Sequence, residues 1–311
     1  MIIKVLGSAA GGGFPQWNCA CSQCYLFRKG KFQGRSRTQS QLAISSGDGT
    51  WHLLNASPDL RTQIEKCTDL QPQMQIPIRQ SPIQSVILTN ADLDHVLGLL
   101  LLREKQSFRI YASESVQKIL LEDNSFFGML RQTSSQTQWE LLKADKEFEL
   151  LSIDGKRTGL WVRPILVSSR FPGFVSQTRI QELQNSDAVL GLVIRESSGK
   201  TVGYFPGVGE ISDAMMAAFQ ECDILFFDGT FWESNELKKV ADHFKDSLEI
   251  GHIPIAGDSG SISRLSSLKQ VRKIFLHINN TNPILDESGV EFAQVHRDGW
   301  EVAFDGMEIC I

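Results

Sequence analysis

The stretch SVILTNADLDHVLGLL, at residues 85–100, decides the prediction of the fold. Its first four residues form an apolar run typical of a buried strand, and the mostly apolar segment Val96–Arg103 predicts a buried helix. Asp92, Asp94 and His95 lie between these two elements. Because α/β proteins carry their chemistry where a strand ends and a helix begins, these three side chains can converge on a cation if the turn curls. The alternative is a helix cap with a histidine that is satisfied by its neighbours.

Short strands followed by helices recur along the chain. Turn residues between apolar runs predict hairpins, and capped amphipathic segments predict helices. The predicted hairpins turn at Gly47–Gly49, Ser198-Gly199 and Asp305-Gly306, the last joining Gly299–Phe304 to Met307–Ile311, and the predicted helices include Ser113–Glu122, Ser212–Gln220 and Ser259–Leu268. Since no low-complexity linker divides the sequence, we expect residues 1–311 to form a single domain of the α/β (α+β) class, with two packed sheets and outer helices.

The composition narrows the classes of function. A chain of 311 residues buries enough surface to fold without disulfides, and 41% hydrophobic with 22% charged residues excludes a disordered protein. Thirty-one basic against thirty-six acidic residues give a net charge of −5, which argues against a nucleic-acid partner. The longest apolar run, Val96–Leu102, is too short for a membrane span, and the first residues do not fit a signal peptide, so we expect a cytoplasmic protein.

Three of the six cysteines lie in one short loop, residues 15–25. Thiolates are soft donors, and a structural zinc ion takes four nitrogen or sulfur ligands in a tetrahedron. Cys19, Cys21 and Cys24 supply three of them, and we predict that His252, in the segment GHIPI, is the fourth. Three free thiols and a redox-active group remain the alternatives.

The segment TNADLDH resembles the H-x-H-x-D-H motif of the metallo-β-lactamase superfamily, which also follows a buried strand. Asp94 and His95 match the motif, whereas Asn90 and Asp92 occupy the positions of its two leading histidines. His277 matches the histidine at the end of the superfamily's last strand. This resemblance implies a four-layer αββα sandwich.

Further segments narrow the resemblance to one family. Residues 89–100 and five further segments make the chain similar, over nearly its whole length, to the PqqB family of proteins for the biosynthesis of pyrroloquinoline quinone (PQQ). The segments that carry this similarity are GSAAGGGFPQWNC (7–19), YFPG (204–207), FFDGTFW (226–232), GHIPI (251–255) and HINNTNP (277–283). The cysteine loop also resembles that of a phosphodiesterase branch in which three cysteines and one histidine hold zinc, which supports His252 as the fourth ligand.

The chain departs from the dinuclear hydrolases of the superfamily. It has no histidine between His95 and His243, and Phe205-Pro206-Gly207 stands where a bridging carboxylate is expected. The remaining candidate ligands of an active-site metal are Asp92, Asp94, His95 and His277. Two imidazoles and one carboxylate are typical of non-haem Fe(II) sites, so we expect one Fe²⁺ ion, and the choice between Asp92 and Asp94 stays open.

The family resemblance implies a hydroxylase. The expected reaction is the iron- and O₂-dependent hydroxylation of the tyrosine ring of a Glu–Tyr-derived PQQ precursor. The alternatives are a carrier that assists transport of PQQ or its precursor to the periplasm, and an atypical metal-dependent hydrolase. Asp228, which also follows a buried strand, is predicted either to contact the substrate or orient a ligand, or only to form a turn. Other PQQ biosynthesis proteins and a second copy of the chain are the expected partners.

Overall fold

Two seven-stranded sheets form the centre of the molecule. The computed structural model describes residues 1–74, 77–131, 136–168, 170–183, 187–241 and 243–311. The first sheet contains β1 (Ile2–Gly7), β2 (Gln41–Ser45), β3 (Trp51–Leu54), β4 (Ile83–Ile87), β5 (Phe108–Ala112), β6 (Thr137–Leu141) and β14 (Glu308–Cys310). The second contains β7 (Phe148–Leu151), β8 (Arg157–Leu166), β9 (Leu190–Glu196), β10 (Thr201–Phe205), β11 (Ile224–Asp228), β12 (Arg272–Leu276) and β13 (Trp300–Val302).

The two sheets share one pattern of strand directions. The strand order is β14-β1-β2-β3-β4-β5-β6 in the first sheet and β13-β12-β11-β10-β9-β8-β7 in the second. In each sheet one half is antiparallel, and the other half, β3 to β6 or β10 to β13, is parallel. Ligands bind at the carboxyl ends of parallel strands, and the loops after β4, β11 and β12 carry the predicted site residues.

Both faces of the central strands are buried. Tyr204 and Phe226 belong to the core between the sheets, whereas the next residues along the chain, Phe205 and Phe227, pack in a second core under the helices. This alternation is what a strand buried on both faces requires. The structure therefore has the predicted four layers, in the order helix, sheet, sheet, helix.

Eight α-helices are found in the described ranges. They are α1 (Ser22–Arg28), α2 (Leu60–Lys66), α3 (Leu93–Val96), α4 (Glu114–Leu121), α5 (Gln177–Leu183), α6 (Asp213–Gln220), α7 (Ser261–Arg264) and α8 (Val290–Arg297). The cap predicted at Ser113 is confirmed, because its side chain accepts a hydrogen bond from a backbone N–H in the first turn of α4, and Ser212 caps α6 in the same way. In the described parts of the chain, every helix is too short or too polar to cross a bilayer.

The helix predicted at Val96–Arg103 is wrong in type. The α-helix ends at Val96, and a 3₁₀ helix follows at Leu97–Leu102. The Gly98 N–H donates to the Ala56 carbonyl, and the Ala56 N–H donates to the His95 carbonyl. These bonds tie the segment to the loop after β3, and that tertiary contact replaces the α-helical hydrogen bonds.

Two other sequence predictions are corrected. The closing hairpin does not form, because β13 pairs with β12 in the second sheet and β14 pairs with β1 in the first. Asp305 binds the Ser8 hydroxyl and the Thr38 N–H, which directs the chain across to the first sheet. The helix predicted at Ser259–Leu268 is reduced to the single turn of α7.

Candidate functional site

Three ligand atoms converge at the carboxyl ends of the parallel strands. Asp94 and His95 lie on α3, shortly after β4, and His277 directly follows β12. Asp94 Oδ2 lies 3.1 Å from His277 Nε2 and 3.9 Å from His95 Nε2. All three atoms lie within 4.8 Å of one another, which is close enough to bind one metal ion. Each sheet therefore contributes to one three-residue cluster, the triad of Asp94, His95 and His277.

Asn90 fixes the orientation of His95. The Asn90 Nδ2 amide donates to Asp92 Oδ2 at 2.7 Å, so its Oδ1 faces His95. This oxygen lies 2.7 Å from His95 Nδ1 and can only accept, so Nδ1 carries the proton. The lone pair of Nε2 therefore points towards the triad. Asn90, which is a poor ligand by sequence, has an orienting role in the structure.

His277 is held by the backbone and by Thr230. Its φ of 59° lies in the left-handed region, which is uncommon for residues other than glycine. The Thr230 hydroxyl donates to Asp228 Oδ1 at 2.6 Å and therefore accepts from His277 Nδ1 at 2.8 Å. As with His95, the proton is on Nδ1, and Nε2 faces the triad.

The chemistry of the triad fits a divalent cation. His95 Nε2 is buried and has no hydrogen-bond partner among the described residues. Burial lowers the pKa of His95 to about 4, so its ring is neutral at physiological pH. Burial alone would raise the pKa of Asp94, but His95 and His277 outweigh burial and hold it below its usual range. Without a metal, His277 Nε2 lies within hydrogen-bond distance of Asp94 Oδ2, and a cation taking the place of the proton between them would meet two imidazole nitrogens and an ionised carboxylate.

Asp92 lies beside the triad but does not belong to it. Its Oδ2 accepts the hydrogen bond from Asn90, and its side chain lines the same cavity as the triad. Burial, reinforced by the charge of Asp94, raises the pKa of Asp92 to about 6. The geometry therefore favours Asp94 as the ligand and leaves Asp92 on the cavity wall.

Asp228 and His252 form a hydrogen-bonded pair next to the triad. Asp228 is fully buried, and its Oδ2 lies 2.7 Å from His252 Nδ1 and accepts the Val208 N–H at 2.8 Å. Asp228, His252 and His277 are close enough together to bind an ion. Hydrogen bonds already join these groups. Thr230 links Asp228 to His277, and Asp228 binds His252 directly. Asp228 therefore orients its neighbours and does not face the cavity, where its predicted substrate contact would have been.

The predicted role of His252 in the cysteine loop is wrong. Its ring stacks on that of His277, with centroids 5.4 Å apart, and lines the cavity of the triad. The three cysteine sulfurs form their own cluster, within 4.8 Å of one another. The loop after β11 and the short turn before Gly251 direct His252 towards Asp228, so it is not available to the thiols.

Asn280 occupies the fourth side of the cysteine cluster. Cys21 is the N-cap of α1, and Cys24 is buried in the first turn of that helix. The Asn280 side-chain amide nitrogen lies 3.2 Å from Cys19 Sγ, 3.7 Å from Cys21 Sγ and 3.5 Å from Cys24 Sγ. Burial opposes thiolate formation at Cys19, but hydrogen bonds from the Cys21 N–H and Asn280 outweigh it and lower the pKa of the thiol.

The triad opens into a cavity of about 300 Å³. Gly207 lies on its wall, at the place where dinuclear hydrolases are expected to carry a carboxylate, and has no side chain to offer. The histidine that is missing between His95 and His243 would be expected at the strand end near Ser168, which forms a backbone bridge with Glu210; Ser169 lies outside the described residues. At the described part of this cavity the triad is the cluster that the sequence predicts, and the overlapping set of Asp228, His252 and His277 is already joined by hydrogen bonds.

Sequence reasoning missed two functional side chains, Thr230 and Asn280. Both follow a predicted residue closely: Thr230 is two residues after Asp228, and Asn280 is three residues after His277. The runs DGT and HINN signalled polar strand ends, but only the fold shows which of their side chains turn back towards a ligand.

Comparisons with known proteins identify the family of this chain. A family model described as a beta-lactamase superfamily domain matches residues 50–278. The chain is 38% identical to coenzyme PQQ synthesis protein B of Nitrosococcus oceani over 100% of both chains. It is 39% identical to the protein of the same name from Rhizobium meliloti, over 99% of this chain and 97% of that one. The chain belongs to the PqqB family.

Solved structures show the same fold. The crystal structure of Zn²⁺-bound PqqB from Methylobacterium extorquens has a TM-score of 0.90 and 36% identity over 100% of both chains. A diphosphatase from the PhnP family has a TM-score of 0.67 at 20% identity, which shows a common fold alone. The four-layer αββα sandwich implied by the sequence is therefore confirmed for this member of the PqqB family.

Proposed function

We propose that this chain acts in PQQ biosynthesis as an Fe²⁺- and O₂-dependent hydroxylase of the tyrosine ring of a Glu–Tyr-derived precursor. Full-length similarity to proteins named for coenzyme PQQ synthesis supports the pathway. The observation that carries the reaction type is the triad, in which the buried His95 Nε2 has no hydrogen-bond partner among the residues that the structure describes. Two histidines and one carboxylate are the ligand set of mononuclear iron oxygenases.

The reaction needs one oxidant and one reductant. One atom of O₂ replaces a hydrogen on the aromatic ring, the other leaves as water, and an external donor supplies two electrons and two protons. Iron bound at the triad would supply the activation of O₂. The protein would bind the phenol in the cavity beside the triad, exclude bulk water and hold the ligand atoms in place.

The neighbouring residues would act by positioning. Asn90 keeps the proton of His95 on Nδ1, and the Thr230–Asp228 pair does the same for His277. Hydrogen bonds of this kind raise the basicity of a ligand and fix its direction. Asp228 is thus proposed as a positioning residue, whereas Asp92 and His252, on the cavity wall, are placed to contact the substrate.

The cysteine loop is proposed to bind a structural Zn²⁺ ion. Cys19, Cys21 and Cys24 would supply three thiolates, and the amide of Asn280 lies on the fourth side, where its oxygen would be the fourth ligand once the amide is rotated by half a turn. The zinc in the structure of the Methylobacterium extorquens relative supports the choice of metal. A site with all four positions filled has no place for a substrate, so its contribution would be to stability.

Oxygen consumption tests the proposed function. Protein reconstituted anaerobically with Fe²⁺ is mixed with the cross-linked Glu–Tyr precursor, a reductant and O₂. We expect O₂ uptake and a product heavier by one oxygen atom, abolished in His95→Ala and retained in His296→Ala, which changes an exposed histidine on α8. Binding of the precursor without O₂ uptake would instead support the carrier, and cleavage without O₂ uptake the hydrolase.

The remaining predictions concern the whole chain. We propose that residues 1–311 act as one domain, because the core between the sheets contains residues from both. The cluster of unpaired thiols favours a reducing compartment such as the cytoplasm. Contacts with other PQQ biosynthesis proteins and a homodimer stay predictions.

A further inference from the structure

The cavity of the triad continues into a second, larger space, which we name the outer lobe. Its volume is about 710 Å³, within the range of small-molecule sites. The two spaces form one cleft, because they share part of their walls. The shared residues are Asn90, Asp92, Gly207, Ile250 and His252.

The wall of the outer lobe combines an apolar surface with two cations. The apolar part consists of Phe171, Pro172, Val175, Ile180 and Val189. Arg170 and Lys245 are exposed on the wall, and neither forms an ion pair with any residue that the structure describes. The wall also carries one exposed carboxylate, Glu249, whose Oε2 accepts the Asp246 N–H at 2.8 Å.

Charge is distributed unevenly along this cleft. The inner end contains the carboxylates of Asp92 and Asp94, whereas unpaired cations are found only in the outer lobe among the described lining residues. With a divalent ion at the triad, the two inner carboxylates are offset by its charge, so the unpaired positive charge that attracts an anionic group lies in the outer lobe. A ligand that has an uncharged ring at one end and carboxylates at the other would bind in one orientation, with the ring beside the triad.

We propose that the outer lobe binds the carboxylate groups of an aromatic diacid, and that Arg170 and Lys245 recognise them. This inference rests on the proposed function and adds the residues that select and orient the substrate. Arg170 offers a planar fork that matches a carboxylate with two hydrogen bonds, and Lys245 offers a point charge. The apolar wall between them and the triad would contact the carbon chain of the ligand.

A binding measurement separates this recognition from the oxygen chemistry. The zinc-loaded protein is titrated by calorimetry with N-acetyl-Glu-Tyr, a diacid, and with N-acetyl-Gln-tyrosinamide, its uncharged counterpart. We expect the wild-type chain to bind the diacid at least about tenfold more tightly, which corresponds to roughly 1.4 kcal/mol. In the double variant Arg170→Gln/Lys245→Gln this preference is lost, while affinity for the diamide changes by less than about twofold.

Two single variants complete the test. Lys143→Gln removes an exposed lysine that lines neither space and should leave the preference unchanged. Glu249→Gln removes the opposing carboxylate and should strengthen binding of the diacid. Added salt should weaken the binding of the diacid and leave the binding of the diamide unchanged.

Three results would overturn the inference: no preference for the diacid in the wild-type chain, an undiminished preference in the double variant, or equal weakening of both ligands. The proposed function can fail separately. If the chain prefers the diacid but the iron-loaded protein consumes no O₂, the hydroxylase is refuted and carboxylate recognition by the outer lobe stands. If it consumes O₂ without a preference for the diacid, the hydroxylase stands and carboxylate recognition is refuted.

Discussion

The two metal clusters differ in how the chain assembles them. Cys19, Cys21 and Cys24 come from a single loop, and only Asn280 is brought from afar. In the triad, by contrast, 183 positions of the sequence separate Asp94 and His277, which follow strands of different sheets. A local cluster can be recognised by spacing alone. A cluster assembled from strand ends has no characteristic spacing in the sequence, and it forms only when the two sheets pack together.

The clusters also differ in donors. Cys24 and Asn280 are buried, and the Asn280 amide faces all three sulfurs, so the thiol cluster is covered on its fourth side, although Cys19 and Cys21 border a cavity of about 680 Å³. The triad has nitrogen and oxygen donors and opens into a cavity that continues to the outer lobe. Closed thiolate sites stabilise a fold, and open mixed sites carry out chemistry. The predictions that follow test this division of roles.

The largest expected effect is on stability. Cys24→Ser should remove one tightly bound zinc per chain and lower the free energy of unfolding by about 4 kcal/mol, the value for a ligand present at a thousand times its dissociation constant. Metal analysis and urea unfolding measure both. The matched control is Cys67→Ser, a half-buried cysteine outside the loop, which should keep its zinc. Normal zinc content in Cys24→Ser would refute the proposal that the loop binds a structural zinc ion.

Loss of a triad ligand should abolish activity and leave the zinc of the cysteine loop in place. We expect His95→Ala to lower hydroxylation by more than about a hundredfold, because it removes a direct ligand and not merely an outer contact. The zinc of the cysteine loop should remain. Steady-state O₂ uptake and metal content are the measurements, and a variant that lost the loop zinc together with activity would show that the two sites are not independent.

A smaller effect is expected from the groups that orient the triad. Thr230→Val removes the hydroxyl that accepts from His277 Nδ1, which should weaken iron binding by about 10- to 100-fold. Thr201→Val is a matched control, because Thr201 is also buried and its hydroxyl donates to the Gly199 carbonyl, away from the triad. Iron titration under nitrogen compares the two variants. Equal affinities would mean that His277 needs no orienting partner.

The smallest expected effect separates Asp92 from Asp94. The pKa of Asp92 is raised to about 6, so the fold favours its protonated form and loses that contribution as pH rises from about 4 to 6. Asp92→Asn should therefore stabilise protein with a metal-free cleft above pH 6, on the order of 1 kcal/mol given its partial exposure, and have no effect below pH 4.

Asp94→Asn should act with the opposite sign. The pKa of Asp94 is lowered by its histidine neighbours, so its ionised form stabilises the fold above pH 4, and this contribution is lost on acidification. Urea unfolding at pH 4 and pH 8 measures both variants. The same response from both would mean that the two carboxylates share the ligand role.

Much of this molecule could be predicted from its sequence. The apolar runs gave most central strands, and the family pattern located Asp94, His95 and His277 before any coordinates. What failed depended on long-range contacts. His252 was assigned to the thiols because a lone histidine carries no sign of its partner, whereas Asn280 was overlooked because an amide is a weak ligand. The closing hairpin failed for the same reason, since the turn at Asp305 is bound to Ser8 and Thr38.

Anomalous diffraction from crystals grown with Fe²⁺ under nitrogen tests the division of the two sites most directly. Data at the iron and zinc edges would locate each element independently. The account predicts one zinc among the cysteine sulfurs and one iron bonded to His95 Nε2, His277 Nε2 and Asp94. Two solvent-bridged ions in the cleft, or a cleft without iron, would contradict it.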